Sequence, residues 1–523
     1  MPRRPLPGPR GGERLFAAGV TCAFLLAGAL VVTHHEPWRD EMQAWLLARD
    51  SGSVRELFSH LRYEGHPGLW HLLLFAAQRA IGGGPGVMQG LHLAIAAATV
   101  ALVSLRAPFS RAQRGLFAFG YFPFYEYGII SRNYALGLLL LVAACALVPS
   151  RRTRLPLLGL VTALMAHSSA IALIVAVALA ATLGWEWLDE RRRPAPLRLG
   201  GFAPSAPVGF ALMLAGIGTA AYQLLPPADS GFNVAWHWSL EPSRLWRVLL
   251  LLPEALLPIP LPRLNYWNSV TFAGTAWLRV AAVIAALGIA IWAYRRLRAR
   301  PLARRFFVTA ELLLLGFFYA KYIGNFNHHG FLFATLIAAL WIGGVTGEDD
   351  QAAADREPAP GAPPTGPGVV LTALLGAQLV AGVMAAALDW AYPFSRGPEG
   401  ARILTEHHLE RALLVADPDF TAASFLAYLP GTPAYYPRGD RFGTFTVWDR
   451  QRLRPTFDRD VVDRALRARS MRGTDVVIVL NHPLDRAAAE GAGAQSVAAL
   501  QGSVVGDEDF YAYLLPKGAE GRP

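Results

Sequence analysis

Runs of predominantly apolar residues, separated by short clusters of arginine, recur from Leu15 to about residue 390. A helix needs about 20 such residues to cross a hydrocarbon core roughly 30 Å thick. In lipid, only helices and closed barrels satisfy their own backbone groups. The pattern therefore calls for a polytopic helical membrane protein. Composition agrees: 53% of the residues are hydrophobic and only 16% are charged, against about a quarter charged in soluble domains. Such a chain is too apolar to be disordered. Its two cysteines, Cys22 and Cys145, fall inside apolar runs, which excludes a disulfide scaffold and argues against a cysteine metal site.

The net charge of +10 comes almost wholly from arginine, Lys321 and Lys517 being the only lysines. The arginines cluster at 3–14, 151–154, 191–198 and 295–305, between apolar runs. A cytoplasmic bias of positive loops explains this placement. Nucleic-acid binding is not expected, because no basic face interleaved with aromatics is present. On this reading residues 1–14 are cytoplasmic and 15–32 form an uncleaved first span, since no A-x-A site follows it. The first external loop is then 33–67. Further apolar segments are 68–82, 86–104, 115–130, 133–149, 155–166, 170–188, 200–224, 271–293, 306–323 and 330–346. Together these give about 11–12 helical segments, counting a final span at 369–389. Residues 347–368 read as a cytoplasmic linker, and 126–132, 225–270 and 321–329 as external. Parity requires that one of 68–82, 86–104 and 115–130 does not cross. The doubtful one is 68–82, which is short and carries His71, Gln78 and Arg79.

From residue 390 to 523 the pattern changes to short β-type runs (412–417, 443–449, 475–481) alternating with helical stretches such as 458–470. This predicts a small extracytoplasmic α/β domain. No glycine-rich phosphate loop follows any of the strands, so a nucleotide site is not indicated.

Polar groups converge on the outer face. Asp40 and Glu41 lie about two turns beyond the first span, where a carboxylate is costly to desolvate unless used or paired. The stretches 41–49 and 53–62 read as amphipathic helices along the membrane surface, with Trp38 and Trp45 suited to the interface. Glu126 and Arg132 sit at a second external edge, and His167 with Ser168 and Ser169 at a third. Lys321, Asn325, Asn327, His328 and His329 form a fourth cluster. Singly, each has an ordinary structural explanation: an ion pair with Arg39, a satisfied histidine, a snorkelling arginine. Four clusters on one face are harder to assign to structure alone.

The W-R-D-E motif at 38–41, the surface helices, Y-E-G-H-P-G-L-W at 63–70 and S-R-N-Y-A-L-G at 131–137 resemble the GT-C glycosyltransferases. That superfamily includes the protein O-mannosyltransferases and the aminoarabinose transferase of lipid A. The resemblance covers roughly residues 15–345, with 15–346 as the GT-C-like catalytic domain. It implies Asp40 as general base or as a ligand for a divalent cation (Mg or Mn, shared with Glu126 if present), with no cofactor fixed by the residues. It further implies Glu41 as the supporting acid and Glu126 as a second catalytic acid, though Glu126 precedes Arg132 where the family places the acid after the arginine. Arg132, Lys321 and His328 would contact the donor phosphate, and His66, His167, Asn327 and His329 would contact substrate.

Outside the cytoplasm no pool of nucleotide sugars exists, so the donor would arrive as a polyprenyl-phosphate sugar in the bilayer. The acceptor would be a glycan, a lipid or a protein. The expected function is glycosyl transfer at the outer face of the cytoplasmic membrane, with inversion at the anomeric centre. The alternatives are a transporter or flippase of lipid-linked glycans, which should show inverted repeats and mid-membrane polar groups, and a noncatalytic envelope-assembly scaffold. A topology reporter fused after residue 395 is expected to read extracytoplasmic; a cytoplasmic signal would overturn the placement of the C-terminal domain.

Overall fold

The structure, a computed structural model, describes residues 11–192, 201–231, 235–346, 368–429, 431 and 433–517. Most of the expected N-terminal cytoplasmic segment and of the linker at 347–368 lies outside the described residues. Helices α1 (Gly11–Val32), α2 (Arg39–Asp50), α3 (Val54–His60), α4 (Leu69–Ile81), α5 (Gly86–Arg106), α6 (Arg111–Ala118), α7 (Tyr134–Leu147) and α8 (Leu155–Ala166) make the first half of the membrane domain. Helices α9 (Ala170–Arg192), α10 (Ala206–Gln223), α11 (Pro242–Leu256), α12 (Ala276–Arg296), α13 (Pro301–Ala320), α14 (Phe326–Val345) and α15 (Gly368–Ala391) complete it. Among the described residues α1, α5, α9, α10, α12, α14 and α15 are long and apolar enough to cross a membrane. Helix α14 is buried along nearly its whole length and is the centre of the bundle. Helix α12 leaves Trp277, Ile284 and Ile291 exposed, as a lipid-facing helix does.

The parity question resolves through side-chain ties. Gln89, near the start of α5, reaches the carbonyls of Val32 and His35 at the end of α1. At the other end of the bundle Arg111 and Arg114 of α6 pair with Glu13 near the start of α1. Helix α5 therefore runs antiparallel to α1 and crosses. The chain returns through α6 and a π-helical turn, Tyr121–Glu126, until the Gly128 carbonyl meets His92 of α5 at 3.3 Å. The segment expected as one span at 115–130 is thus a broken one. Pro123 removes a backbone donor inside it, and Gly120 and Gly128 flank the turn.

Helix α4 does not cross. Its Gln78 and Arg79 reach the Trp45 and Ala48 carbonyls, both at 3.4 Å, so it lies along α2. Its 13 residues would span only about 20 Å. Helices α2 and α3 form where amphipathic helices were expected, but α2 is not laid open on a membrane surface. Every residue from Glu41 to Ala48 is buried, because α4 packs on one side and the C-terminal domain on the other.

The C-terminal domain is a six-stranded sheet in the order β3-β2-β1-β4-β6-β5, built from β1 (Leu413–Asp417), β2 (Ala434–Tyr436), β3 (Arg441–Gly443), β4 (Val476–Leu480), β5 (Gln495–Leu500) and β6 (Phe510–Leu515). Strand β1 is parallel to β2 and β4, and the outer pairings are antiparallel. Strands β1 and β4 are continuously apolar because both their faces are covered. Leu413, Val415, Val476, Ile478 and Leu480 face the helix Asp458–Arg472 through Val461, Val462, Ala465 and Ala468. The alternate residues Leu414, Ala416, Val477 and Val479 belong to the same apolar core as the membrane helices.

Helices α8 and α10 pack through small residues. A Cβ on Gly159 would lie 2.4 Å from the Gly209 carbonyl oxygen, and one on Gly216 would lie 2.3 Å from Ala163 Cβ. Gly209→Leu is expected to destabilise the membrane domain by about 1–3 kcal/mol through overpacking. Gly218→Leu, where a Cβ meets nothing within 4 Å, should leave it unchanged; thermal unfolding of the two detergent-solubilised variants checks the contrast.

Candidate active site

Between the membrane helices and the C-terminal domain lies a cavity of about 370 Å³. Five helices begin at its wall, contributing Asp40 (α2), Trp70 (α4), Tyr134 (α7), Ala170 (α9) and Asn327 (α14) within their first two residues. Helix N-termini carry partial positive charge and attract anions. Arg62, Arg132 and Lys321 add full positive charges to the same wall.

Asp40 is held by Arg132, whose guanidinium donates to its Oδ2 at 2.7 Å. Arg132 itself lies over the rings of Trp38 and Tyr134 at 5.6 and 5.5 Å. Its backbone is fixed by His92. The neighbouring Arg39 turns mainly away, to Asp507 and Glu508 of the C-terminal domain. Lys321 ends α13, with its Nζ 4.9 Å from the Trp236 ring centre. His328 lines the cavity with both ring nitrogens in use: the Asn325 N–H donates to Nδ1, so Nε2 carries the proton and donates to the Tyr134 hydroxyl at 3.0 Å. His66 and Asn327 also line the wall. Confinement lowers the His66 imidazole to about 4, keeping it neutral, and Arg132 acts in the same direction.

Six of the ten residues given a site role from the sequence therefore share one cavity, Asp40, His66, Arg132, Lys321, Asn327 and His328, and Asn325 of the fourth cluster lines it with them. Four do not line it. Glu126 is buried in the π turn, accepting from the Tyr121 hydroxyl and the Trp267 indole N–H. His167 caps α8 and bonds Thr219 and Gln223. His329 reaches the Ile323 carbonyl and lies 3.0 Å from Glu254. Glu41 is fully buried beneath Asp40, accepting from the Trp38 and Ser131 backbone N–H groups and from His35. Asp40 and Glu126 are not brought together on the cavity wall. Glu126 is satisfied elsewhere, one Asp40 oxygen is taken by Arg132, and no group of three His, Cys, Asp or Glu side chains gathers as ligands among the described residues.

The cavity also holds residues not singled out from the sequence. Glu64, within the 63–70 motif, faces it beside Asp40 and accepts from Gln43 at 2.8 Å; burial raises its carboxyl above the ordinary range. Trp70 ends the same motif and His71 follows it, and each leaves one buried ring nitrogen without a hydrogen-bond partner. Ser230 and Trp448 come from distant segments and carry no local signal of their place.

Beneath the cavity, His35 lies between two carboxylates, Glu41 at Nε2 and Asp389 at Nδ1, each 3.1 Å away, with no side-chain exposure in any of the three. Burial opposes the charge on His35, but Asp389 and then Glu41 override it and hold the imidazole protonated well above its ordinary range. Asp389 also accepts from Tyr266, which meets Tyr125 at 2.5 Å. Because the folded-state pKa lies above the unfolded value of about 6.5, the stability this histidine contributes is complete below that pH. It is lost as pH rises through the raised value. His35→Gln leaves two buried carboxylates facing each other and is expected to cost about 3–5 kcal/mol. Tm of the wild type measured against pH should fall once pH rises above about 6.5; a Tm that stays flat from there through the alkaline range would count against the triad.

No protein-family model matches the sequence, and no curated protein sequence matches it. Solved structures do match. The crystal structure of ArnT from Cupriavidus metallidurans in the apo state aligns over 97% of this chain and 100% of its own, with a TM-score of 0.51 and 14% identity. That of the same protein bound to undecaprenyl phosphate aligns over 97% and 99%, with a TM-score of 0.51 and 12% identity. At such identity the likeness establishes architecture: the chain has a GT-C-like, ArnT-like multi-pass membrane fold with a C-terminal extramembrane domain.

Proposed function

We propose that this chain is a glycosyltransferase that moves a sugar from a polyprenyl-phosphate donor to a hydroxyl acceptor at the outer face of the cytoplasmic membrane. The observation that carries the reading is the Asp40–Arg132 pair in a cavity ringed by helix N-termini and cations, at the junction of membrane and external domains. The ArnT structure bound to undecaprenyl phosphate supports a lipid-phosphate ligand for this fold. One flank of the cavity, with Phe317, Leu224 and Ile171, is apolar and suits a lipid chain.

In this reading Asp40 takes the proton from the acceptor hydroxyl as its oxygen attacks the anomeric carbon. The bond from that carbon to the phosphate oxygen breaks, and its electron pair leaves with the lipid phosphate. Arg132 and Lys321 stabilise the departing charge. Arg132 serves twice: without donor it neutralises Asp40, and an incoming phosphate competes for the guanidinium and releases the carboxylate as base. Glu41 orients the first turn of α2 through its backbone bonds. No step is routed through a metal.

Asp40→Asn in the purified full-length protein is expected to lower transfer from a panel of polyprenyl-phosphate sugars by about 10²–10⁴-fold with Tm unchanged. Wild-type activity in that variant would remove Asp40 as the base. Arg132→Gln should weaken donor use as well as turnover, and assays with and without EDTA test the cation.

A further inference from the structure

We infer that the C-terminal domain supplies the acceptor-side wall of the cavity, and that Gln43 is the positioning residue that fixes this wall against Glu64. The inference rests on the transferase reading for the word acceptor; the contacts themselves are independent of it.

Gln43 sits on α2 one turn beyond Asp40 and is buried. Its Oε1 accepts from the Thr446 N–H at 3.0 Å, and its Nε2 donates to the Thr446 carbonyl at 2.7 Å. The amide thus pairs with both backbone groups of one residue, as a neighbouring strand would. The second Nε2 hydrogen goes to Glu64, so every polar atom of this side chain links the C-terminal domain to the cavity. From Thr446 the segment runs on to Trp448, which lines the cavity. The Trp448 carbonyl accepts from Gly231 N–H and the Arg450 N–H donates to the Asp229 carbonyl, both at 2.8 Å. A Cβ on Gly231 would lie 2.4 Å from the Asp449 carbonyl oxygen, so this approach requires a glycine. Asp229 in turn accepts from the Tyr63 hydroxyl. Behind the wall the Arg452 guanidinium lies 4.3 Å from the Trp448 ring centre and is locked to Asp419 at 2.7 Å.

The cavity consequently has two unlike sides. Phe317, Leu224 and Ile171 come from membrane helices or their ends, whereas Tyr63, Glu64, Ser230 and Trp448 come from external segments clamped together through Gln43 and Asp229. A lipid-borne donor meets the first side. An acceptor arriving from water meets the second, so selectivity among acceptors resides in the wall that the C-terminal domain contributes.

Single-cysteine probes test this in the full-length protein in nanodiscs, with a membrane-impermeant maleimide and undecaprenyl phosphate as the lipid probe. Undecaprenyl phosphate is expected to slow labelling of Phe317→Cys and to leave Trp448→Cys within about twofold, and adding Gln43→Ala should speed Trp448→Cys labelling by about tenfold without changing Phe317→Cys. Equal protection of both positions would overturn the two-sided cavity, and an unchanged Trp448→Cys rate in Gln43→Ala would overturn the positioning role. Protection of neither position would count against the lipid-phosphate reading, with the wall then judged on the Gln43→Ala comparison alone. With polyprenyl-phosphate mannose and octyl mannoside as the assay pair, Gln43→Ala should raise the acceptor KM about tenfold with the donor KM steady; a parallel rise in both would also overturn the assignment. Hydrogen exchange across 443–450 distinguishes a loosened wall from an unfolded domain.

Discussion

A histidine held between two carboxylates, away from water, sets the geometry where the membrane helices meet the C-terminal domain. His35 joins Glu41, at the head of the helix that carries Asp40, to Asp389, at the end of the last membrane helix. Neither carboxylate could be buried there alone, since an unpaired charge in a medium of low dielectric is strongly disfavoured. Together the three side chains fix the distance between the first and last membrane segments and aim the first turn of α2 at the cavity. The second Glu41 oxygen extends this order to the Ser131 N–H, the residue before Arg132. The Asp40–Arg132 pair is thereby set from below by one buried acid that touches the backbone on both sides of it.

The same economy appears above the cavity. Arg39 and Asp40 are adjacent, yet one binds the C-terminal domain and the other faces the cavity, so a single helical turn serves two domains. Helix α2 has no free face: α4 lies against it on one side, and the C-terminal segment Asp419–Leu426 on the other. The C-terminal domain completes the cavity's walls as well as covering them.

The sequence makes the membrane class, the C-terminal strand-containing domain and the gathering of polar residues such as Asp40, Arg132 and Lys321 legible, because each rests on local periodicity or on where a few charges fall among many apolar residues. The non-crossing segment 68–82 could be suspected because it is short and polar at His71, Gln78 and Arg79. Residues in the cavity were found where a motif placed them beside a helix start, as with Asp40, His66 and Arg132. The residues that do not line the cavity have a common physical reason. Glu126, His167 and His329 are polar at the right depth, but whether such a group faces a cavity or a neighbour depends on partners such as Trp267, Gln223 and Glu254, which lie 56 or more positions away. Gln43 and Thr446 are the converse: two hydrogen bonds join them across 403 positions, and nothing local announces the pairing.

The division of β1 and β4 between two cores has a consequence for how the molecule is made. Because Leu414, Ala416, Val477 and Val479 share the apolar core of the membrane domain, the sheet is the last surface laid onto a bundle already in place. At roughly 5–20 residues per second, the chain between Gln43 and Thr446 takes on the order of half a minute to synthesise. Throughout that interval α2 has one apolar side uncovered, and the wall that Thr446 provides does not yet exist. The cavity is therefore finished by a part of the chain made long after Asp40, and the assembly order gives the nascent chain a period in which Asp40 is in place and the cavity is open on one side.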